Sequence, residues 1–494
     1  MAYSYSVSQS SMESLIVEVT THSIEYSTDP SVRDSKANTA HSPVSADETP
    51  AIVFFPKSTQ DVSVILKACN ERRIAVTSFC SGTSFGGCLT STRGGICISF
   101  ERMKHVVALH EDDLDVVVQP GLGWVELNDQ LEDKGVFFPV DPAPGASIGG
   151  MIAMSCSGTN AYRYGTMKEW VISLTAVLAN GTVVKTHRRP RKSAAGYDLT
   201  HLVIGSEGTL ALVTEATLKL AVLPQNLHVG LVTFDTFQQG VDIVVALQRA
   251  GHQLEALELA DGPQVHAINH SKLAQIEMLE KPSLWLKFAG SSPQLVNDQI
   301  ETVKGLCEEQ KALTYEITSD KARIDILWGA RKCIGHALVA MKKNPTDLFV
   351  HSDCAVPISN LAALVEGTQK LIQQANADNQ VSSPDSKQPW FCTNVGHVGD
   401  GNVHSSIICP AADKPQVDEV LRKVARLALS LEGTVTGEHG VGLKQRDALI
   451  DEVGIEGINM MRRVKSALDP KGILNPDKVF RLEDDDPTSE RAKL

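Results

Sequence analysis

The chain has 494 residues, of which 42% are hydrophobic and 21% are charged, and its formal net charge at pH 7 is -13. This length exceeds what one hydrophobic core usually supports, so we expect two or more domains. The acidic balance argues against nucleic acid as a partner, because binding a phosphate backbone needs clustered Lys and Arg, and no apolar run is long enough to predict a transmembrane span.

The first segment, residues 1–45, is rich in Ser and Thr and poor in large apolar side chains, which predicts a partly flexible extension with at most a weak amphipathic helix. Its first arginine is Arg33, and three glutamates precede it, whereas mitochondrial presequences are Arg-rich and poor in acids. The ten cysteines are scattered, as expected for free thiols in a reducing compartment. These features favour the cytoplasm, with the mitochondrion as the alternative.

From about residue 50 the pattern alternates between predicted strands and helices. The segment "AIVFFP" (51–56) predicts a buried strand, and Ser58 is a good N-cap for a helix over 58–73. A second helix is predicted over 124–135, where a glycine ends it. The Asn-Gly pair within 171–184 predicts the turn of a β-hairpin.

Three segments of small residues follow or precede predicted strands in this region. They are "CSGTSFGG" (80–87), "PGASIGG" (144–150) and "GSEGT" (205–209). Glycine lets the backbone approach a ligand closely, and successive N–H groups can surround a pyrophosphate. Neither GxGxxG nor GxxxxGK[ST] is present, so neither a Rossmann fingerprint nor a P-loop is supported. Three such segments favour a long cofactor such as a dinucleotide.

A second unit begins near residue 225 and predicts a mostly antiparallel sheet with helices on one face. Helical patterns cover 236–251, 293–311 and 359–377, and the chain after residue 413 is mainly helical. The six predicted strands lie in "LHVGLVTF", "QLEALELA", "SLWLKFAG", "ALTYEITS", "DLFVHSDCAVP" and "WFCTNVGHVGDGNVHSSIIC".

Two histidine-containing segments of this region have the residues of a metal site. His397 and His404 are seven residues apart in "GHVGDGNVH", and the glycines and aspartate between them predict a turn that lets both imidazoles converge. Glu438 and His439 lie between glycines in "TGEHGVG". Two imidazoles and a carboxylate are suitable ligands for a first-row divalent metal. The remaining histidine, His439, is a candidate base. The alternative is ordinary polar packing.

One arginine is a candidate for binding a carboxylate. Arg331 follows Trp328 on a predicted helix in "ILWGARKCIG", and a guanidinium matches a carboxylate through two parallel hydrogen bonds. The alternative is a surface ion pair. Asp353, in "HSDCAVP", ends a predicted strand and suits a structural role.

Taken together, these motifs resemble those of the FAD-dependent D-2-hydroxyacid dehydrogenases, and most closely the D-lactate dehydrogenase group. These enzymes belong to the vanillyl-alcohol oxidase flavoprotein superfamily. The resemblance runs from about residue 50 to about residue 482, in the expected order. The segments that carry it are "SGTSFGG", "DPAPGASIGG", "SGTNAYRYGTM", "RKSAAGYDLTHLVIGSEGTL", "GHVGDGNVH", "GEHGVG" and "LDPKGILNPDKVF".

The resemblance implies an α+β fold in which a flavin-binding domain of two α/β subdomains, the PCMH-type FAD-binding domain, is combined with an antiparallel-sheet cap domain that carries helices. The C-terminal helices return to the flavin domain. On this basis we predict an N-terminal extension over 1–45, an FAD-binding domain over 46–222, a cap and substrate domain with the metal site over 223–440, and a C-terminal helical segment over 441–494.

The resemblance also implies the ligands of each group. By the resemblance, the loop Ser81–Gly87 would hold the pyrophosphate, and we call it the phosphate loop. FAD is expected to be non-covalent, because the segment before this loop lacks the histidine of covalently linked relatives. His397, His404 and Glu438 would bind zinc or manganese, Arg331 would bind the substrate carboxylate, and His439 would be the base. The residues expected to bind FAD are Ser81, Gly82, Thr83, Ser84, Gly86, Gly87, Pro120, Gly121, Asp141, Gly145, Ser147, Gly149, Gly150, Ser157, Asn160, Gly208 and Asn475.

The implied activity is oxidation of a small D-2-hydroxy acid, D-lactate first, by hydride transfer to flavin N5. The 2-hydroxyglutarate relatives have a lysine and an asparagine where this chain has His351 and Ser406, which argues against a second, distal substrate carboxylate. The electron acceptor would be cytochrome c, a quinone or an electron-transfer flavoprotein. The alternatives are an FAD oxidase of another small hydroxy acid or a specialised alcohol, with oxygen as acceptor, and a catalytically silent binding protein on the same scaffold.

Overall fold

The computed structural model describes residues 3–39, 42–382 and 388–483. The chain forms two compact units. The first comprises Met1–Gly158, Gly165–Leu223 and Glu438–Leu494, and the second comprises Thr159–Tyr164 and Pro224–Gly437. The segment after the second unit therefore returns to the first, as the family fold implies, whereas the boundaries of the four predicted segments stay predictions.

The described residues form helices and strands that we number in chain order. The helices are α1 (Gln9–Thr20), α2 (Pro30–Ser35), α3 (Thr59–Arg72), α4 (Trp124–Leu131), α5 (Ile148–Met154), α6 (Ala161–Tyr164), α7 (Met167–Trp170), α8 (Leu199–Val203), α9 (Phe237–Arg249), α10 (Gly262–Ser271), α11 (Pro293–Glu309), α12 (Lys321–Lys332), α13 (Ile334–Val339), α14 (Leu361–Ser382), α15 (Lys414–Ser430) and α16 (Arg446–Leu468). The strands are β1 (Glu25–Ser27), β2 (Ile52–Phe55), β3 (Val76–Phe79), β4 (Ile96–Ser99), β5 (Val106–His110), β6 (Asp115–Val118), β7 (Val136–Phe137), β8 (Val171–Val177), β9 (Val183–Lys185), β10 (Leu212–Lys219), β11 (Ala221–Val222), β12 (His228–Thr233), β13 (Ala256–Ala260), β14 (Ser283–Phe288), β15 (Thr314–Thr318), β16 (Leu348–His351), β17 (Cys354–Ala355), β18 (Phe391–His397) and β19 (Asn402–Cys409).

The first sheet of the first unit has the order β1-β2-β4-β3, in which β4 pairs in parallel with both β2 and β3. Helix α3 begins where the sequence predicts, because the Ser58 side chain accepts the backbone N–H of Asp61. Leu15 and Val19 of α1 are fully buried in the same core as α3. The weak helix that the N-terminal segment allows is thus present as α1, and it packs into this core, although the sequence predicts a partly flexible extension there.

The second sheet of the first unit is antiparallel, with the order β5-β6-β10-β8-β9. The predicted hairpin is confirmed: β8 and β9 are joined by a tight turn in which the Leu178 N–H donates to the Thr182 carbonyl at 2.9 Å. Helices α4 and α5 bury their apolar faces against this sheet. The glycine-rich segments lie at the ends of these elements: 80–87 follows β3, 144–150 leads into α5, and 205–209 precedes β10.

The second unit contains one eight-stranded sheet with the order β15-β12-β14-β13-β18-β19-β16, in which β17 also pairs with β19. All these ladders are antiparallel, as predicted. The sheet has eight strands rather than six because each of the last two predicted segments is divided, the first into β16 and β17 and the second into β18 and β19.

The prediction that helices cover one face of this sheet is wrong. Leu284 and Leu286 of β14 pack in one core with α9 and α11, whereas Trp285 packs in another core with α10, α12 and α13. Successive side chains of a strand point to opposite faces, and here both sets are apolar. The sheet therefore needs helices on both faces.

None of the helices within the described ranges has both the length and the apolar character needed to cross a membrane.

Candidate active-site residues

In the first unit, the glycine-rich loop Ser81–Gly87 follows strand β3 and contacts the second glycine-rich segment. The backbone N–H and the hydroxyl of Ser147 lie 3.2 Å from the Ser81 hydroxyl. A β-carbon at Gly145 would lie 3.5 Å from Cγ2 of Thr83. The fold thus brings together two loops that are more than sixty residues apart in the sequence.

Close backbone packing explains why glycine occurs at several of these positions. A β-carbon at Gly149 would lie 2.5 Å from Cβ of Pro120 and 3.1 Å from Sγ of Cys80. A β-carbon at Gly121 would overlap the carbonyl oxygen of Phe100. Only glycine permits such approaches, so the residues predicted to bind FAD at 120–121, 145–150 and 81–87 form one continuous region of the first unit.

The third glycine-rich segment joins this region together with the C-terminal "LNP" motif. The Asn475 backbone N–H donates to the Val76 carbonyl at 2.8 Å, and its side-chain Nδ2 donates to the Glu207 carbonyl at 2.6 Å. Asn475 is 3% exposed, and within the described residues its Oδ1 accepts no hydrogen bond. A buried acceptor without a donor is unfavourable unless a ligand satisfies it, which fits a flavin at this position.

Three further residues predicted to bind FAD are divided between the two units: Asp141 and Ser157 belong to the first, and Asn160 belongs to the second. Asp141 lies beside Gly158, where a β-carbon would be 2.5 Å from the Asp141 side chain. The Ser157 hydroxyl donates to the Glu438 carboxylate at 2.6 Å. Asn160, by contrast, belongs to the second unit, where its carbonyl accepts the N–H of Arg163 at the start of α6.

The part of the "GEHGVG" loop that belongs to the first unit, from Glu438 on, is held by Glu207, a residue that we did not single out from the sequence. Its carboxylate accepts the N–H of Val441 at 2.7 Å and that of Gly442 at 2.9 Å. The same loop lies against the phosphate loop, since the Leu443 N–H donates to the Gly86 carbonyl at 2.7 Å. The imidazole of His439 lies with its centroid 4.8 Å from the ring of Phe85.

In the second unit, the two histidines of "GHVGDGNVH" lie on one face of the sheet. Strands β18 and β19 form a hairpin in which Val395 is directly opposite His404, so His397 is diagonal to His404 across the ladder. Their rings are 5.4 Å apart, centroid to centroid, and nearly perpendicular. The turn through Asp400 and Gly401 therefore converts an odd sequence separation into a shared face.

Arg331 and His397 share one partner, Glu258 of β13. Arg331 donates through Nε at 2.9 Å and through Nη2 at 2.6 Å to Oε2, and His397 lies with Nδ1 2.6 Å from Oε1. The side chain of Glu258 is fully buried and that of Arg331 is 12% exposed. The pair is therefore a buried one and not the surface ion pair that the sequence left open.

Asp353, for which the sequence favours a structural role, lies beside one of the predicted metal ligands. It is 3% exposed and lies with Oδ1 3.4 Å from Nδ1 of His404. Its carboxylate also accepts hydrogen bonds from Asn402 Nδ2 and Thr436 Oγ1, both at 2.9 Å. An ionised carboxylate beside an imidazole is a typical feature of metal sites, so Asp353 is a further candidate ligand or ligand partner.

The two positions that distinguish this chain from the 2-hydroxyglutarate relatives are neighbours in the structure. His351 of β16 lies directly opposite Ser406 of β19. Ser406 is 4% exposed and is separated from His404 by one residue, so both side chains point to the same face. Neither residue carries the fixed positive charge that would pair with a second substrate carboxylate.

Two family models match the sequence. Residues 50–187 match a model described as an FAD binding domain, and residues 223–479 match one described as the C-terminal domain of FAD linked oxidases. The solved structure of p-cresol methylhydroxylase with substrate bound superposes with a TM-score of 0.76 over 98% of this chain and 100% of its own, at 14% identity. The fold is therefore that of the vanillyl-alcohol oxidase flavoproteins.

Curated relatives are more similar in sequence. The mitochondrial D-lactate dehydrogenase [cytochrome] of Kluyveromyces lactis is 41% identical over 92% of this chain and 77% of its own length. The mitochondrial D-lactate dehydrogenase [cytochrome] of Arabidopsis thaliana is 41% identical over 87% of this chain and 73% of its own. The chain belongs to the FAD-dependent D-2-hydroxyacid dehydrogenase family, in its D-lactate dehydrogenase-like group, and is an FAD-binding oxidoreductase.

Proposed function

We propose that this enzyme oxidises a small D-2-hydroxy acid, with D-lactate as the first candidate, to the 2-oxo acid. FAD, when bound, would supply the acceptor for a hydride from C2 of the substrate. The D-lactate dehydrogenases among its relatives support this substrate class. The single observation that carries the proposal is the buried arrangement of Arg331, Glu258 and His397, which presents a guanidinium and an imidazole in one fixed orientation.

Arg331 would bind the substrate carboxylate. Two of its nitrogens are occupied by Glu258, and within the described residues its third, Nη1, makes no hydrogen bond to protein. Because Glu258 neutralises the guanidinium charge, the contribution of Arg331 is mainly a directional hydrogen bond in a partly buried environment. Holding the carboxylate in one orientation determines which face of C2 is presented for reaction.

His397, His404 and Glu438 would bind a divalent cation, zinc or manganese, with Asp353 as a further candidate. Imidazole and carboxylate donors suit either metal. Ser157 supports Glu438 in this role, because its hydroxyl donates to the carboxylate and so favours the ionised form that a metal needs. A cation bound to the substrate hydroxyl would lower the pKa of that group.

His439 would take the hydroxyl proton. Its loop is fixed on the C-terminal side of His439, since Glu207 accepts the N–H groups of residues 441 and 442, and the phosphate loop accepts the N–H of Leu443. A base must be positioned closely to be effective, and a backbone anchored in this way limits the movement of the imidazole.

The side chains at positions 351 and 406 favour small acids as substrates. His351 and Ser406 face each other where the 2-hydroxyglutarate relatives have lysine and asparagine. We therefore expect D-lactate and comparable monocarboxylates to be oxidised faster than D-2-hydroxyglutarate. A neutral hydroxyl and an imidazole do not compensate a desolvated second carboxylate.

Cytochrome c is the first electron acceptor to test, because several relatives carry "cytochrome" in their names; a quinone and an electron-transfer flavoprotein are the alternatives. The same relatives are named as mitochondrial, which favours the mitochondrial alternative over the cytoplasm. Fractionation of cells that express a tagged full-length chain, with markers for both compartments, distinguishes the two.

An anaerobic stopped-flow experiment tests the proposed reaction. Purified holoenzyme is mixed with D-lactate, L-lactate, D-2-hydroxyglutarate or D-3-hydroxybutyrate, and flavin absorbance is followed before and after chelator treatment. We expect bleaching by D-lactate, little by the other acids, and recovery of a chelator-treated sample on adding Zn²⁺ or Mn²⁺. Retained flavin colour with every D-2-hydroxy acid would contradict the proposal, and a full yield of peroxide in air would instead indicate an oxidase.

Arg331→Lys and Arg323→Lys provide a matched pair for the role of the arginine. Both arginines lie on α12 and bind a glutamate through Nε and Nη2, but the partner of Arg323 is the partly exposed Glu316. A lysine cannot reproduce the planar fork. We expect Arg331→Lys to raise KM for D-lactate by about tenfold or more, and Arg323→Lys to leave it unchanged.

A further inference from the structure

The centre of the largest sheet contains one ionised side chain that the proposed reaction does not use directly. Glu258 is the middle residue of β13, directly opposite His397 in β18 and Trp285 in β14. Its side chain is fully buried. An acidic group in the interior of an apolar sheet is unfavourable unless it is paired, so its presence needs an explanation from its partners.

The two oxygens of Glu258 are divided between two functional side chains. Oε2 accepts both hydrogen bonds from Arg331, and Oε1 lies 2.6 Å from Nδ1 of His397. Because a carboxylate can only accept, Nδ1 must carry the proton, which places the lone pair of a neutral imidazole on Nε2. One buried group thus determines both the direction of the guanidinium and the tautomer of the imidazole.

We propose that Glu258 is a positioning residue that couples substrate binding to metal binding by fixing Arg331 and His397 relative to each other. The inference rests on the proposed function, in which the first residue binds the substrate carboxylate and the second binds the cation. A 2-hydroxy acid has its hydroxyl on the carbon next to the carboxylate. A fixed separation between the two binding groups selects this substrate over a 3-hydroxy acid.

Two other glutamates of the second unit, Glu255 and Glu316, do not share this arrangement. Glu255, three residues earlier, pairs with Arg163 and Tyr164, neither of which is a proposed substrate or metal ligand. Glu316 makes the same two-nitrogen contact as Glu258, with Arg323 of the same helix, but touches no proposed ligand. Glu316→Gln therefore removes a comparable link between α12 and the sheet and is the matched control.

The test compares Glu258→Gln, Glu316→Gln and the unsubstituted holoenzyme in three measurements. Calorimetric titration of chelator-treated protein with Zn²⁺ or Mn²⁺ gives metal affinity without turnover. Steady-state kinetics with D-lactate give KM and kcat, and the ratio of kcat/KM for D-lactate to that for D-3-hydroxybutyrate reports selectivity. Melting temperature and flavin content report folding.

We expect Glu258→Gln to weaken metal binding and raise KM together, each by about tenfold or more, and to reduce selectivity for the 2-hydroxy acid. A glutamine has a single acceptor oxygen, so it can accept from only one of the two donors, Arg331 or the Nδ1–H of His397. Glu316→Gln should leave metal affinity, KM and selectivity unchanged. Metal affinity and KM that match those of the unsubstituted enzyme, or a change in only one of them, would overturn the inference.

A second variant keeps the inference testable if Glu258→Gln does not fold. Arg331→Lys alters the partner of one carboxylate oxygen without touching a proposed metal ligand. If Glu258 couples the two groups, this substitution lowers metal affinity by about threefold or more. Unchanged metal affinity would overturn the coupling. If the unsubstituted enzyme itself neither binds metal nor is bleached by D-lactate, the proposed function fails, which is a different result.

Discussion

Each of the two units contains a buried glutamate, and the two carboxylates are held by opposite kinds of partner. In the first unit Glu207 accepts neutral backbone N–H groups from residues 441–442. In the second unit Glu258 accepts from the guanidinium of Arg331 and from the imidazole of His397. The first residue therefore fixes the path of a loop backbone, whereas the second fixes the orientation of two side chains.

The pKa values of these glutamates shift in opposite directions. Burial raises the pKa of Glu207, and the hydrogen bonds from Cys88 and from the backbone of residues 441–442, together with the charge of Lys478, compensate only part of this effect. Burial also acts to raise the pKa of Glu258, but Arg331 and His397 outweigh it and hold that pKa below its usual range. The nature of the partner, and not burial alone, decides which buried carboxylate is firmly ionised.

The largest effect is expected for a substitution at Gly442, in the loop that Glu207 holds, because this glycine packs directly against the phosphate loop. Gly442 has a φ of +53°, and a β-carbon there would overlap the carbonyl oxygen of Gly86 in the phosphate loop. We expect Gly442→Ala to destabilise the first unit by about 3 kcal/mol or more and to yield protein largely free of FAD. Flavin absorbance per protein and the melting temperature measure this.

Gly135→Ala is the control for that substitution. Gly135 also has a positive φ, +68°, but a β-carbon there has no neighbour within 4 Å among the described residues. This variant should lose about 1–2 kcal/mol of stability, because alanine is unfavourable at a positive φ, and it should keep its flavin. Equal losses in the two variants would contradict the view that contact between the two loops is the main constraint.

Glu207→Gln should have a smaller and different effect. A glutamine offers one acceptor oxygen to two backbone donors, so one N–H loses its partner and about 1–3 kcal/mol of stability is lost. Because the displaced loop carries His439, we expect the rate of flavin reduction to fall about tenfold with little change in KM. In Glu258→Gln the larger change should be in KM. The comparison of the two units breaks down if both variants divide their losses between kcat and KM in the same way.

The sequence predicts well those features that depend on neighbouring residues. The start of α3 follows from the hydroxyl of Ser58, and the hairpin β8–β9 follows from an Asn-Gly turn. The shared face of His397 and His404 also follows from a short turn between two apolar strands. In each case the interacting groups lie within a few residues of each other, so a local pattern contains the information.

The features that the sequence does not predict involve distant partners. Glu258 is 73 residues from Arg331 and 139 residues from His397, and Glu207 is 234 residues from Val441. One signal was available: "ALELA" places a glutamate inside an otherwise apolar strand, and such a residue must find a partner when buried. Its partners, however, depend on the strand order, which no local pattern contains.

A third buried carboxylate shows whether the direction of the pKa shift follows the kind of hydrogen-bond partner or the unit in which the residue lies. Asp261 lies in the second unit, like Glu258, but its donors are neutral: Asn394 through N–H at 3.0 Å and Nδ2 at 2.8 Å, and the N–H of Gln264 at 2.9 Å. Burial raises the pKa of Asp261 to about 6. It therefore resembles Glu207 of the other unit more than it resembles Glu258.

The raised pKa of Asp261 makes the stability of the folded protein depend on pH. Because the folded pKa of Asp261, about 6, lies above its unfolded value, its contribution to stability is complete below about pH 4 and is lost as the pH rises through 6. Relative to Asp261→Asn, the unsubstituted protein should lose roughly 1 kcal/mol between pH 5 and pH 7. Melting temperatures of the two proteins across this range measure the difference. The contributions of the other titrating groups cancel, because both proteins contain them. A difference that stays constant, or that grows in favour of the unsubstituted protein, would mean that neutral donors alone hold this carboxylate ionised, and the distinction drawn between Glu207 and Glu258 would then lose its basis.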